Sequence, residues 1–289
     1  MANKVSIELD GGSLEVQAGI TIQKVMELNG YKITKYPEPG SLFTPCETGG
    51  CWSCTVEVNG EPKPACSTTV SHGVTIKTRL PEDYLPRRVI TGFSGHPVGG
   101  VGTPWGMKSK PGYIETACFA AGCNFRCPQC QNWDIAYMGK GKAFTPLEAA
   151  RLMTAARQKF SVDRMAISGG ESTLNRRWLL GYVRKLKELN PDPSARIHVD
   201  TNGSILTRDY IDELVAAGMT DVGPDLKGLY LESFVRLTGV KDQDLAERYH
   251  TTAWKAVRHL VEKYKDRVFT GIGIPYNRKL ISVQELGMM

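Results

Sequence analysis

No stretch of this sequence carries about 18 consecutive apolar residues, so nothing in it reads as a membrane-spanning helix. The opening residues, MANKVSIELDGG, lack the apolar core of a secretory signal, which makes the cytoplasm the expected location. Charge of one sign is nowhere concentrated. The net charge of +6 is spread along the chain, which suits a solubilising surface and argues against nucleic acid as a partner. Histidine is scarce: His72, His96, His198, His250 and His259 form no ligand-spaced set and none is assigned to a metal, although His198 shares a strand face with Asp200. With 41% hydrophobic residues in 289, the chain can bury a core in each of two domains.

What stands out is cysteine. In a reducing cytoplasm its clusters point to metal or redox sites rather than disulfides. Cys46, Cys51 and Cys54 are spaced C-x4-C-x2-C, and Cys66 follows after eleven residues. The first three reproduce the plant-type [2Fe–2S] ferredoxin loop, with Cys66 as fourth thiolate. Gly49 and Gly50 let the backbone curl towards inorganic sulfide. A structural zinc site is the alternative that four cysteines also satisfy. Around them lie a hairpin over 4–16 turning at Asp10-Gly11-Gly12, a short helix over 20–29 ended by Gly30, and a second hairpin in VEVNGEPKPA. Residues 4–78 resemble the [2Fe–2S] domain at the front of many redox-enzyme subunits. That resemblance implies a small α+β, β-grasp, ferredoxin-like domain over 1–79 holding a one-electron centre.

Residues 80–111 are rich in Gly and Pro and read as a connector, docked at Phe93, Val98 and Trp105. From 112 to 289 strands alternate with helices. Strands are expected over 113–123, 164–170, 196–203, 221–228 and 268–277. Helices are expected over 144–160, where Thr145, Pro146 and Glu148 form a capping box, over 175–189, over 206–218 closed by Gly218, and over 242–264. Such alternation implies a parallel sheet whose functional loops follow the carboxyl ends of its strands. The loop after the first strand is GCNFRCPQCQN, with Cys123, Cys127 and Cys130 at C-x3-C-x2-C. Three thiolates on a four-iron cluster leave one iron without a protein ligand, as a catalytic zinc keeps an open position. Cys118 lies outside both motifs and reads as a small buried hydrophobe.

The same loop, with Phe125 before its second cysteine, resembles the signature of the radical SAM superfamily. SGGES, GIGIP, DTNG and DLK follow in the family's order. The fuller strings look most like the branch containing pyruvate formate-lyase activating enzymes and "AmmeMemoRadiSam" proteins. The resemblance implies a partial (β/α) barrel of radical SAM type, with a [4Fe–4S] cluster on Cys123, Cys127 and Cys130. It implies S-adenosylmethionine (SAM) held near Gly169, Gly170, Glu171, Asp200 and Asn202, with Glu171 pairing its ammonium, Ile272 and Ile274 packing near adenine, and Phe125 covering the cluster. Asp200, Thr201 and Asp225 are the expected ligands of a monovalent cation. One electron from a low-potential donor would cleave SAM, and the 5'-deoxyadenosyl radical would abstract hydrogen from a small-molecule, peptide or protein substrate. The resemblance thus implies a radical SAM oxidoreductase, with a glycyl-radical-enzyme activase as one version. The N-terminal centre, near about −400 mV for its type, is expected to relay that electron. The competing expectation is an iron–sulfur electron-transfer protein without SAM cleavage. The family builds six strand–helix units, whereas this chain stops at SVQELGMM after the fifth strand, so the barrel is expected to be shortened at its C-terminus.

Overall fold

The computed structural model describes residues 4–100, 102–108, 112–137 and 139–289. In the first domain β1 (Lys4–Leu9) pairs antiparallel with β2 (Gly12–Gln17) through Asp10 and Gly11 at φ 48° and 87°, the left-handed pair of a type I′ hairpin. Helix α1 (Ile22–Leu28) starts at Thr21, whose hydroxyl accepts from Lys24 N, and buries Ile22, Val25 and Met26. The minimal strands β3 (Ile33–Thr34) and β4 (Leu42–Phe43) pair parallel ahead of the cysteine loop. Strands β5 (Thr55–Val58) and β6 (Glu61–Pro64) form the second hairpin, turning through Asn59 and Gly60 at φ 50° and 83°. Strand β7 (Thr75–Lys77) completes a five-stranded mixed sheet in the order β2-β1-β7-β5-β6. One core joins α1 to this sheet and includes Cys54 and Cys66.

The connector expectation needs correction. Residues 88–96 are a nine-residue strand, β8 (Arg88–His96), antiparallel to β9 (Glu115–Ala120) and one strand in from the edge of the second domain's sheet. A bulge hides it in the sequence: Gly92 and Phe93 adopt φ 93° and 61°, and the register shifts between Gly92 and Ser94. Phe93 packs on the core as expected, but Val98 and Trp105 do not dock, being 73% and 85% exposed.

After α2 (Trp133–Ala136) and β10 (Ala143–Phe144), the chain alternates as its periodicity predicts. Helix α3 (Pro146–Phe160) carries the full capping box, and β11 (Arg164–Gly169), α4 (Arg176–Leu189), β12 (Arg196–Thr201), α5 (Arg208–Ala217) and β13 (Asp221–Pro224) follow. A short helix not expected from sequence, α6 (Leu231–Thr238), precedes α7 (Gln243–Tyr264). The fifth parallel strand, β14 (Phe269–Thr270), is far shorter than the expected 268–277. Gly271, Gly273 and Pro275 interrupt it, and the pairing resumes only as a bridge between Asp225 and Gly273. Helix α8 (Val283–Met288) is anchored by buried Glu285, which accepts from Ser233 Oγ at 2.7 Å and Leu229 N at 2.9 Å. The sheet order is β10-β8-β9-β11-β12-β13-β14, with parallel pairing from β9 through β14. Its main core gathers Met153, Trp178, Tyr182, Ile197 and Leu214. No helix among the described residues is long and apolar enough to cross a membrane.

The segment between β8 and β9 turns inward at the foot of this sheet. Buried Arg164 pairs with Glu115 and donates to Gly102 O at 2.9 Å and Thr103 Oγ1 at 2.7 Å. A Cβ on Gly102 would lie 3.1 Å from both Gly223 Cα and His198 Cε1, so glycine is required where this segment enters. Breaking a buried pair of this kind leaves an uncompensated charge, which is why Arg164 is tied by several bonds at once.

The two domains share a wide contact. Val89 donates to Gly50 O at 3.1 Å and accepts from Ala121 N at 3.0 Å, so β8 stands between the two cysteine loops. On the far side Arg248 of α7 binds Glu38 at 2.6 Å. Hydrogen bonds from Lys32 and then Arg248 hold the Glu38 carboxyl down at about 2. Because that value is depressed, the contact contributes above the ordinary carboxylate range and is lost as pH falls towards 2. Glu38→Gln is therefore expected to lower the thermal midpoint slightly at pH 7 and not at all near pH 2, and added salt should shrink the difference because the pair is exposed.

Candidate active site

The loop after β9 gathers three thiols on one cavity of about 470 Å3, a size suited to a small molecule. Its wall includes Cys123, Cys127 and Cys130 together with Phe125, which is buried. The loop is held from several sides. Cys130 N donates to Cys127 O at 3.2 Å, Tyr137 Oη donates to the same carbonyl at 3.0 Å, and Gln129 Nε2 donates to Leu237 O at 3.2 Å. Phe125 meets Phe234 and Tyr249 edge-on, with ring centroids 5.5 and 5.7 Å apart, forming an apolar wall behind the thiols. Burial pushes the Cys127 thiol up to about 11 and that of Cys123 higher still.

Gly169 and Gly170 line the cavity where β11 ends. Both must be glycine. A Cβ on Gly169 would lie 2.5 Å from Ala120 N, and one on Gly170 would lie 2.4 Å from Gly122 O. The backbones are also bonded there, Gly170 N to Ala120 O at 2.8 Å and Glu171 N to Gly122 O at 2.9 Å. This turn is thus clasped to the cysteine loop.

Glu171 is where the structure departs most from the family expectation. Its carboxylate is buried and turned away from the cavity. It accepts from Thr173 N at 2.9 Å, Thr173 Oγ1 at 2.5 Å, Thr201 Oγ1 at 2.6 Å and Asn202 N at 2.5 Å. With four donors in hand it joins the turn after β11 to the turn after β12. Ile272 and Ile274 also miss the cavity, Ile272 being 45% exposed. The wall there is formed by Pro275, Tyr276 and Asn277, because the glycine-broken chain after β14 carries the next residues inward.

Asp200, Thr201, Asn202 and Asp225 do line the cavity. Each has a partner already: Asp200 Oδ1 is 2.6 Å from His198 Nε2, Thr201 donates to Glu171, Asn202 Nδ2 donates to Asn124 Oδ1 at 3.0 Å, and Asp225 holds Lys227 Nζ at 2.8 Å. A lysine ammonium therefore sits on one of the three carboxylate or hydroxyl groups expected to hold a monovalent cation. Lys227 was not singled out by sequence, although it stands in the DLK string; burial works against its charge, but the Asp225 carboxylate beside it holds its proton more firmly than usual and makes it a positive charge on the wall. Ser168 and Asn132, which stand in the SGGES and GCNFRCPQCQN strings but were not singled out, also line it, as does Gly100, which has no sequence signal. Cys118 is fully buried in the main core, where burial raises its thiol to about 12, as a packing role requires.

In the first domain Cys46, Cys51, Cys54 and Cys66 are all buried free thiols. Cys51 Sγ lies 3.1 Å from Cys46 Sγ, and Cys66 hydrogen-bonds with both Cys46 and Cys54. Hydrogen bonds from Cys51 and then Cys66 hold the Cys46 thiol well below its usual range, while burial pushes Cys51 up. The four form a chain of neighbours, Cys51–Cys46–Cys66–Cys54. Among the described residues no three or more His, Cys, Asp or Glu close on one point as a single ion requires. A donor set of four thiols in a chain fits a cluster that brings its own iron and sulfide.

The two cysteine loops touch. A Cβ on Gly122 would lie 3.0 Å from Cys46 Cβ, and one on Gly50 would lie 2.8 Å from Gly122 N and from Ala121 C. Gly50→Ala is therefore expected to force backbone apart at this contact, costing about 1–3 kcal/mol. Calorimetry against wild type reads that loss directly.

A family model for the radical SAM superfamily matches residues 118–280, more than half of the chain. The chain belongs to the radical SAM superfamily. A second model, for a 2Fe-2S iron-sulfur cluster binding domain, matches residues 2–81. Membership brings a [4Fe–4S] cluster and SAM, and the N-terminal domain brings a [2Fe–2S] cluster; the thiol sets above fit both groups. Similar curated proteins include a GTP 3',8-cyclase of Gloeobacter violaceus, 33% identical over 119 residues, which cover 40% of this chain and 35% of the cyclase. An uncharacterized iron-sulfur protein of Methanocaldococcus jannaschii is 39% identical over 66 residues, 22% of this chain and 13% of that protein. The chain thus spans about a third of the length of the cyclases it matches. Among solved structures, HydG, a maturase of the [FeFe]-hydrogenase, aligns at a TM-score of 0.40 and 12% identity over 54% of this radical SAM chain and 33% of its own.

Proposed function

We propose that this radical SAM enzyme cleaves SAM reductively at Cys123, Cys127 and Cys130, and that its own [2Fe–2S] domain delivers the electron. The observation that carries the reading is the placement of exactly three cluster-spaced thiols on one cavity, with the four-thiol loop packed directly behind the first of them. When bound, the [4Fe–4S] cluster with SAM supplies one-electron cleavage of the sulfonium and a radical that abstracts hydrogen. The chain's own residues bind, orient and exclude water. Phe125, backed by Phe234 and Tyr249, keeps solvent from the thiol side. Across the cavity Asp200, Asp225 and Lys227 offer both signs of charge to a ligand that, like an amino acid, carries both. Similarity to the cyclases supports the SAM chemistry; their substrate is not transferred, because the match covers 40% of this chain.

Two measurements test the two halves of the proposal. Reconstituted anaerobically with iron and sulfide, then given dithionite and SAM, the protein is expected to form 5'-deoxyadenosine, read by mass spectrometry. No product with both clusters assembled would leave an electron-transfer protein instead. With a protein reductant in place of dithionite, a Cys51→Ser/Cys54→Ser variant should lose turnover, and undiminished turnover would end the relay half.

A further inference from the structure

The cysteine loops of the two domains are joined by one side chain. Arg126 stands between Phe125 and Cys127, and its guanidinium reaches both domains. Nη2 donates to the Cys46 carbonyl at 2.7 Å, while Nη1 donates to the carbonyls of Cys123 at 2.7 Å and Phe125 at 2.8 Å. Its backbone is fixed as well. Arg126 N donates to Thr238 O at 2.8 Å, and a Cβ on Gly239 would lie 2.6 Å from Arg126 O. The Tyr137 ring lies 5.2 Å from Cζ and holds the fork in its plane.

Only arginine has donors fixed in a plane that can serve two carbonyls on diverging strands of chain at once; lysine offers a mobile point charge. Other polar ties of the four-thiol loop lead elsewhere. Ser53 donates to Leu174 O and Asn175 to Cys51 O, and both join the segment after β11 rather than a cysteine of the three-thiol loop.

We propose that Arg126 is a positioning residue for electron transfer between the two iron–sulfur centres, holding Cys46 against Cys123 and completing a hydrogen-bonded route from one carbonyl to the other. This rests on the relay reading above. One electron leaves the [2Fe–2S] centre, which is oxidised, and enters the [4Fe–4S] centre, which is reduced; no bond is made or broken and no proton moves. Cys46 is then the exit ligand of its four, and Cys123 the entry ligand of its three. No sequence pattern marks the residue, since its meaning depends on a contact with a loop 80 positions away.

Arg126 keeps part of its surface exposed, so replacing it removes little packing. The test uses the full chain with both clusters and no SAM. The [2Fe–2S] centre is reduced by a photochemical flash, and its reoxidation by the barrel centre is followed by freeze-quench electron paramagnetic resonance (EPR). Arg126→Met is expected to slow that transfer about tenfold, the factor that ~1.4 kcal/mol of lost docking energy carries. Arg126→Lys should fall between it and wild type. Both variants should keep the midpoint potentials and EPR line shapes of both centres. Wild-type transfer with an equally fast Met variant would overturn the assignment of Arg126 alone. A slow Met variant whose potentials have moved would also overturn it, because the residue would then act on driving force rather than position. Absence of transfer in wild type would remove the relay reading and this proposal with it.

Discussion

Cys127→Ala is expected to abolish 5'-deoxyadenosine formation entirely while sparing the N-terminal centre. Cys127 is one of three thiols on the cavity, so its loss leaves two ligands for a four-iron cluster, with no further cysteine on the cavity wall to substitute. Cys118, the nearest cysteine in sequence outside the loop, is sealed in the core on β9 and hydrogen-bonded to Tyr182. The four thiols of the first domain belong to a separate loop and keep their own geometry. Iron content should therefore fall from about six to about two per chain, and the ultraviolet–visible spectrum should become that of a [2Fe–2S] protein. Residual product in this variant would mean that the three-cysteine loop does not carry the reaction.

Glu171→Ala is expected to cost about 3–5 kcal/mol of folding stability, the range for removing one member of a buried charged network. The substitution strands Thr173 N and Asn202 N, both buried and both currently donating to the carboxylate, and frees two hydroxyls. It also removes a carboxylate charge that favours the charged form of buried Arg88, whose guanidinium donates to the Glu171 carbonyl. Urea denaturation without SAM reads the effect, and Glu171→Gln, which keeps shape and one acceptor oxygen, should recover part of it. A side chain serving only as a SAM contact would show no loss in that experiment.

The comparison between these two residues shows what a sequence exposes and what it conceals. Local rules acted locally: Asp10-Gly11, the Thr145–Glu148 capping box and the left-handed Gly218 stand where spacing put them. Six of the seven candidate cluster cysteines are legible for the same reason, since two short loops fix their proximity, while Cys66 is brought back by the β5–β6 hairpin. Strand β8 was not, because its bulge at Gly92 and Phe93 breaks the period of two among many glycines. The inward turn of Glu171 is decided by Thr201 and Asn202, thirty positions on, and by the parallel pairing that places them beside it. Lys227 faced the same obstacle: only the cavity makes its pairing with Asp225 part of a site.

Three thiols on a four-iron cluster would leave one iron open to SAM. The most direct measurement is the low-temperature EPR spectrum of the reduced, reconstituted protein before and after SAM is added. The [4Fe–4S] signal is expected to change shape while the [2Fe–2S] signal stays as it was. If both signals are indifferent to SAM, no iron is open to it, and the three-cysteine loop does not do what its spacing and its cavity indicate.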